Sequence, residues 1–145
     1  ADGPEPLVDL ASQRRLRVLL ADDHPTNRKV IELMLAGLDV ELVQVENGLE
    51  ACVAVEAQPF DVILMDMQMP VLDGLSANRR IREHERQEAR LRTPIIMLTA
   101  NAMPDHVLES LASGADRHVC KPVQAAALFG AIQDLLAGDG VEKAA

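Results

Sequence analysis

Tryptophan and tyrosine are absent from the 145 residues, and Phe60 and Phe129 are the only aromatics. Without aromatic platforms on which bases stack, the chain lacks the usual equipment for binding single-stranded nucleic acid. Basic residues are in deficit as well: 14 Lys and Arg stand against 23 Asp and Glu, a formal charge of −9. A surface of that sign repels phosphate backbones, so nucleic acid is not an expected partner. No apolar run is long enough to span a bilayer, and no basic segment leads into a hydrophobic signal, so membrane contact by this chain is not expected either. Cysteine is scarce. Cys52 and Cys120 both lie in apolar stretches and read as buried reduced thiols, which fits a cytoplasmic compartment.

What is present is aliphatic. Hydrophobic residues make up 48% of the chain, enough for one domain with a real core. Residues 1–15, with Gly3, Pro4 and Pro6, read as a linker or N-terminal extension. A domain over 16–138 and a short tail over 139–145 follow. The start at Ala1 without a methionine suits a piece cut from a longer protein. Apolar runs predict strands at 16–21, 40–45, 61–66, 94–99 and 117–120, and helical periodicity predicts helices at 25–37, 48–57, 74–90, 104–113 and 124–137. Leu128, Phe129, Ile132, Leu135 and Leu136 share one helical face, as do Val30, Ile31, Met34, Leu35 and Leu38. Gly37 and Gly138 stand where helix C-terminal caps often do. Val62-Ile-Leu-Met65 and Ile95-Ile-Met-Leu98 are apolar at every position, as strands covered on both faces are. Strict βα alternation makes this an α/β fold, a doubly wound parallel sheet.

Carboxylates close two of these strands. Asp22 and Asp23 follow Leu16-Arg-Val-Leu-Leu-Ala21, and Asp66 ends Asp61-Val-Ile-Leu-Met-Asp66. Taken singly, the pair before Pro25 reads as helix-capping acids, and Asp66 as a turn residue ahead of Pro70. Together they are harder to dismiss, because parallel strands carry their C-terminal ends to one edge, where open α/β sheets hold ligands. Like charges about 4 Å apart repel by roughly 4 kcal/mol at an effective dielectric near 20, so the cluster calls for a cation. Mg2+ suits it, being hard and oxygen-seeking.

Two further strand ends bring other chemistry. Thr99 supplies a hydroxyl able to donate to a phosphoryl oxygen, though threonine is also an ordinary strand residue. Lys121 supplies an ammonium able to neutralise such an oxygen, though it also reads as a solvated loop residue. Pro122 opens the option of a cis Lys121–Pro122 bond that would fix the lysine's direction.

Asp22-Asp23, Asp66, Thr99 and Lys121-Pro122, in this order at successive strand ends apart from the second, resemble the receiver domain of bacterial response regulators, and the match runs from about Leu16 to Ala137. The resemblance implies a flavodoxin-like (βα)5 fold with strand order 2-1-3-4-5. It implies that Asp66 accepts a phosphoryl group from a phosphohistidine, with Mg2+ held by Asp22, Asp23, Asp66 and the backbone carbonyl of Gln68. Thr99 and Lys121 would bind the phosphoryl oxygens, and the domain would assist its own phosphorylation and dephosphorylation. In the family an aromatic three residues before the lysine commonly moves with the threonine as a switch. Here that position is His118, whose charge near neutral pH would add a dependence that Phe or Tyr lacks. Gln68 and Asn101, two residues beyond Asp66 and Thr99, are the candidates for tuning the phosphoryl lifetime.

Asp23-His-Pro-Thr-Asn-Arg28, Met65-Asp-Met-Gln-Met-Pro70 and Thr99-Ala-Asn-Ala-Met103 look like the receivers of hybrid sensor histidine kinases. The implied partners are a histidine kinase phosphodonor domain and a histidine phosphotransferase protein, and the parent chain could be membrane-anchored. A stand-alone single-domain regulator and a pseudo-receiver that is never phosphorylated are the alternatives. An Asp-nucleophile phosphatase would want an acid where Gln68 stands, and a nucleotide-binding protein a Gly-rich loop after the first strand. The segment Arg79–Arg92, with six arginines and three glutamates, reads mainly as a solvated face, with docking as a lesser option.

Overall fold

A computed structural model describes residues 15–100 and 103–137. Five strands, β1 (Leu16–Ala21), β2 (Val40–Val45), β3 (Val62–Asp66), β4 (Ile95–Thr99) and β5 (Arg117–Cys120), alternate with five helices. The helices are α1 (Pro25–Leu35), α2 (Gly48–Ala57), α3 (Gly74–Gln87), α4 (Pro104–Ala112) and α5 (Ala125–Leu136). All strand pairs are parallel, and the sheet order is β2-β1-β3-β4-β5. Fold class and strand order are those expected from the sequence.

The period-2 geometry of strands sorts the core into two layers. Leu19, Ala21, Ile63, Met65, Ile95 and Met97 face one side, against Ala51, Cys52 and Val55 of α2 and Ala77 and Ile81 of α3. Val18, Leu20, Val62, Leu64, Ile96 and Leu98 face the other, against Ile31 and Leu35 of α1 and Leu128, Ile132 and Leu135 of α5. β3 and β4 are buried at every position, which is why their sequences do not alternate. Burying a Leu, Ile or Met side chain stabilises by about 1.5–3 kcal/mol, and these two strands supply much of the core, to which Phe60 and the partly buried Phe129 are the aromatic contribution. The thinnest packing is at α4, where Ser110 is the one buried residue and Leu108 and Leu111 are exposed.

Several expectations shift. Val30, Leu38 and Leu136 are exposed, so the apolar stripes of α1 and α5 are narrower than their periodicity suggested. α1 ends on Ala36 in right-handed conformation, and Gly37 has no positive φ, so no left-handed glycine cap forms there; Gly138 lies outside the described residues. Cys52 is buried, and burial pushes its thiol up to about 11. Cys120 is exposed, because β5 is an edge strand, which corrects the expectation that both thiols are buried.

The arginine run is also more than a solvated face. Arg82 is buried and forms ion pairs with Glu85 (2.8 Å) and Asp116 (3.0 Å). Asp116 also receives Arg92 (2.9 Å) and the Ile95 amide (2.9 Å). Both arginines donate to the Gly114 carbonyl, at 2.9 and 3.1 Å. This network closes the end of the sheet where β4 and β5 begin.

Candidate functional site

The opposite end, where the strands finish, carries the acids. Asp66 is the last residue of β3. Its Met67 amide donates to the Leu98 carbonyl (3.0 Å) and the Met67 carbonyl accepts from the Gly74 amide (2.9 Å), so the chain turns at once into α3. A side chain at Gly74 would put its Cβ 2.1 Å from the Asp66 carbonyl oxygen, and only glycine permits that approach. Asp73 then caps α3, accepting from the Ser76 amide (2.8 Å). Between them Val71 holds φ at 70°, a strained value for a β-branched residue and one that clusters at functional loops.

Asp22 does not cap α1. Its Oδ1 accepts from the His24 amide (2.9 Å), ahead of the helix, and the N-cap position, His24, makes no side-chain capping bond. Both Asp22 and Asp66 turn toward Lys121, whose Nζ stands 3.3 Å from Asp22 Oδ2 and 3.0 Å from Asp66 Oδ1. Lys121 reaches this point from the β5–α5 turn, where its amide donates to the Thr99 carbonyl (2.6 Å) and the Lys121–Pro122 bond is cis. One oxygen from each of Asp22, Asp23 and Asp66 lies within 4.8 Å of the others. Lys121 pairs with Asp22 and Asp66 and leaves the third carboxylate of the cluster, Asp23, without it, an imbalance that favours a further cation.

Burial, the largest influence, pushes the Asp66 carboxyl above the usual carboxylate range, and Lys121 pulls it part of the way back. The buried Asp23 Oδ1 has no hydrogen-bond partner among the described residues; His24 Nε2 lies 3.9 Å from it. Thr99 Oγ1, in a residue 1% exposed, is likewise unpartnered among the described residues. Asn78 Oδ1 and His84 Nε2 of α3 are unpartnered too, but only the Asp23 oxygen belongs to a cluster of acids, where it is open to a ligand. The cleft above the acids, of about 640 Å3, is bordered by Asp23, Asp66, Gln68, Ala100, His106 and Lys121 among others.

Of the residues singled out in the sequence, Asp22, Asp23, Asp66 and Lys121 meet directly. Gln68 stands exposed on the rim. Thr99 follows Leu98, the residue in register with Asp66. His118 is in register with Met97 and lines a separate crevice with Gln124, Ala127 and Ala131. Asn101 lies outside the described residues. The sequence reading overlooked His106, whose place on the cleft wall follows only from how α4 lies over the sheet. It also overlooked Arg28, which donates to the Asp22 carbonyl (2.7 Å). A bond to a backbone carbonyl leaves no complementary residue type to find.

Comparison with known proteins agrees with this geometry. The sensor protein GacS of Pseudomonas syringae is 40% identical over 112 residues, which are 77% of this chain and 12% of that protein. The histidine kinase BarA of Escherichia coli is 31% identical, covering 94% of this chain and 14% of that protein. The chain therefore spans only a small part of these relatives. Among solved structures, the receiver domain of sensor histidine kinase PA1611 from Pseudomonas aeruginosa is 38% identical with a TM-score of 0.78. It covers 86% of this chain and 100% of its own, and has magnesium coordinated in its active-site cleft. The Saccharomyces cerevisiae Ssk1 receiver, crystallised with the phosphotransfer protein Ypd1, is 28% identical with a TM-score of 0.80, covering 83% of this chain and 88% of its own. The response regulator receiver domain profile matches residues 18–133, and with its strand order and acidic edge the chain belongs to that family.

Proposed function

We propose that Asp66 is a phosphoacceptor. In the transfer, the bond between phosphorus and a donor imidazole nitrogen breaks, an Asp66 oxygen forms the new bond to phosphorus, and the imidazole leaves with a proton from solvent. The observation that carries this reading is Asp66 at the mouth of the cleft, 3.0 Å from Lys121 and grouped with two more acids. Phosphoryl transfer needs positioning and charge neutralisation more than elaborate acid–base chemistry, and that is what these residues offer. Lys121 neutralises one phosphoryl oxygen, and the unpartnered Thr99 hydroxyl donates to another.

The donor set fits Mg2+: oxygen ligands only, with an open Asp23 Oδ1. Asp22, Asp23, Asp66 and the Gln68 carbonyl would hold it, as the magnesium in the Pseudomonas aeruginosa receiver suggests. When bound, it supplies charge neutralisation for the incoming phosphoryl oxygens.

The similarity to GacS and BarA supports an origin in a hybrid histidine kinase, with a kinase phosphodonor domain on one side of the transfer. The relation to the Ssk1 receiver supports a histidine phosphotransferase protein as the other partner. Free thiols at Cys52 and Cys120 fit a reducing cytoplasm. Thr99 then acts as the switch residue that responds to the phosphoryl group. His118 extends that switch toward the β5–α5 crevice, and Gln68 and Asn101 set the lifetime of the acyl phosphate.

The test is intact-protein mass after incubation with a small acyl phosphate donor, with Mg2+ or with chelator. A single phosphoryl adduct that needs the metal supports the reading. No adduct under donor excess overturns it in favour of a pseudo-receiver.

A further inference from the structure

Arg28 carries the wrong charge for its position. It is the fourth residue of α1, whose first turn holds no acid, and the amino end of a helix repels cations. Its side chain is nonetheless mostly buried, 16% exposed. Two contacts hold it there. Nη1 donates to the Asp22 carbonyl at 2.7 Å, and Nη2 lies 3.9 Å from Glu46 Oε2. The Glu46 amide in turn donates to Glu50 Oε1 at 2.8 Å, at the start of α2. The guanidinium therefore ties the β1–α1 turn to the β2–α2 turn.

Asp22 is the residue so tied. Its amide donates to the Val45 carbonyl (3.2 Å), its Oδ1 accepts from the His24 amide (2.9 Å), and its Oδ2 faces Lys121 (3.3 Å). With Arg28 on the carbonyl, every polar atom of Asp22 has a partner, while Asp23, one residue on, keeps an oxygen without a hydrogen-bond partner among the described residues. The first acid is fixed as a reference and the second is left free to ligate.

We propose that Arg28 is a positioning residue for the cation site. By holding the Asp22 main chain it keeps that carboxylate at the cleft, and so strengthens divalent-cation binding although it is itself a cation. This rests on the reading of Asp22, Asp23 and Asp66 as the cation site. Charge alone would act with the opposite sign, since a guanidinium near the site repels Mg2+. The direction of a mutational effect therefore separates positioning from charge.

Calorimetric titration of the whole chain with Mg2+ provides the test, with Asp23→Asn as the control that loses binding. Arg28→Ala is expected to bind about 10-fold more weakly, the range typical of residues that orient a metal ligand, and Arg28→Lys to recover part of the loss. In the metal-free protein, the His24 amide exchanges faster in Arg28→Ala while the Thr93 and Ile95 amides at the far edge do not change. Arg28→Ala binding Mg2+ as tightly as the parent, or more tightly, overturns the proposal. If Arg28→Ala does not fold, Arg28→Gln binding more weakly than Arg28→Lys supports it, and equal or reversed affinities overturn it. A parent that binds no Mg2+ overturns the cation site itself, whereas a binding parent with an unaffected Arg28→Ala overturns only the role of Arg28.

Discussion

The two ends of this sheet bury charge in opposite ways. Where β4 and β5 begin, Asp116 collects two arginines and a backbone amide, and Glu85 takes Arg82 and the Thr93 amide. Where β1 and β3 finish, one lysine pairs with Asp22 and Asp66, and Asp23 Oδ1, the third acid of the cluster, has no hydrogen-bond partner among the described residues. A buried charge that is fully paired closes a structure. One that is short of partners leaves room for a reaction, and burial at that end has raised the pKa of Asp66 rather than satisfied it. A groove of about 890 Å3 at the arginine end, roomier than the acidic cleft, lies away from the acids. Within its lining Arg82 and Arg86 pair with Glu85 and Glu83, and Arg80 and Arg92 with Glu56 and Asp116 outside it, so size alone does not locate the chemistry.

Removing a partner should therefore hurt one end and relieve the other. The largest effect is expected for Asp116→Ala, which leaves buried Arg82 with Glu85 as its remaining ion-pair partner and takes the acceptor from Arg92 and the Ile95 amide, and should destabilise by roughly 3–5 kcal/mol in denaturant unfolding, with phosphoryl uptake by the folded fraction unchanged. Next come two glycines that form a matched pair. Gly114 holds φ at +116° with its virtual Cβ 2.7 Å from Arg82 Cγ, and Gly74 presses on the Asp66 carbonyl. Alanine at either is expected to cost about 1–3 kcal/mol, and Gly74→Ala alone should slow formation of the phosphoryl adduct.

Asp66→Asn should do the reverse and raise the metal-free thermal midpoint by a few degrees at neutral pH. Because the folded-state pKa of Asp66 lies above its unfolded value, burial of the charge destabilises the protein above that folded pKa. The destabilisation fades as pH falls through it toward the ordinary carboxylate range. The midpoints of parent and Asp66→Asn should converge on acidification, and a gap that widens would contradict the burial of an ionised Asp66. The smallest effect is chemical: at mildly alkaline pH an alkylating reagent should label Cys120 and spare Cys52, whose thiol burial has pushed up to about 11. Labelling of both by mass would show an open α2–α3 layer.

The acidic end was legible in the sequence and the arginine end was not, for a physical reason. Parallel strands bring their last residues to one edge, so Asp22, Asp66, Thr99 and Lys121 could be gathered from strand ends alone. Arg82 pairs with Asp116 across 34 residues, between a helix and the loop before β5, and no local pattern announces such a contact. Edge position exposed Cys120 despite its apolar neighbours, and the sheet's thin cover at α4 decided where His106 falls. Four of the five helices end one to three residues earlier than expected, as at α3, which stops at Gln87 where charged residues continued the helical pattern.

The most direct measurement is the phosphoryl stoichiometry per folded molecule, read by intact mass on Asp66→Asn and Asp116→Asn side by side after a small acyl phosphate donor and Mg2+. No adduct on the first and the parent's single adduct on the folded fraction of the second are expected. An adduct that survives Asp66→Asn, or a folded Asp116→Asn that takes none, would contradict the division of labour between the two ends.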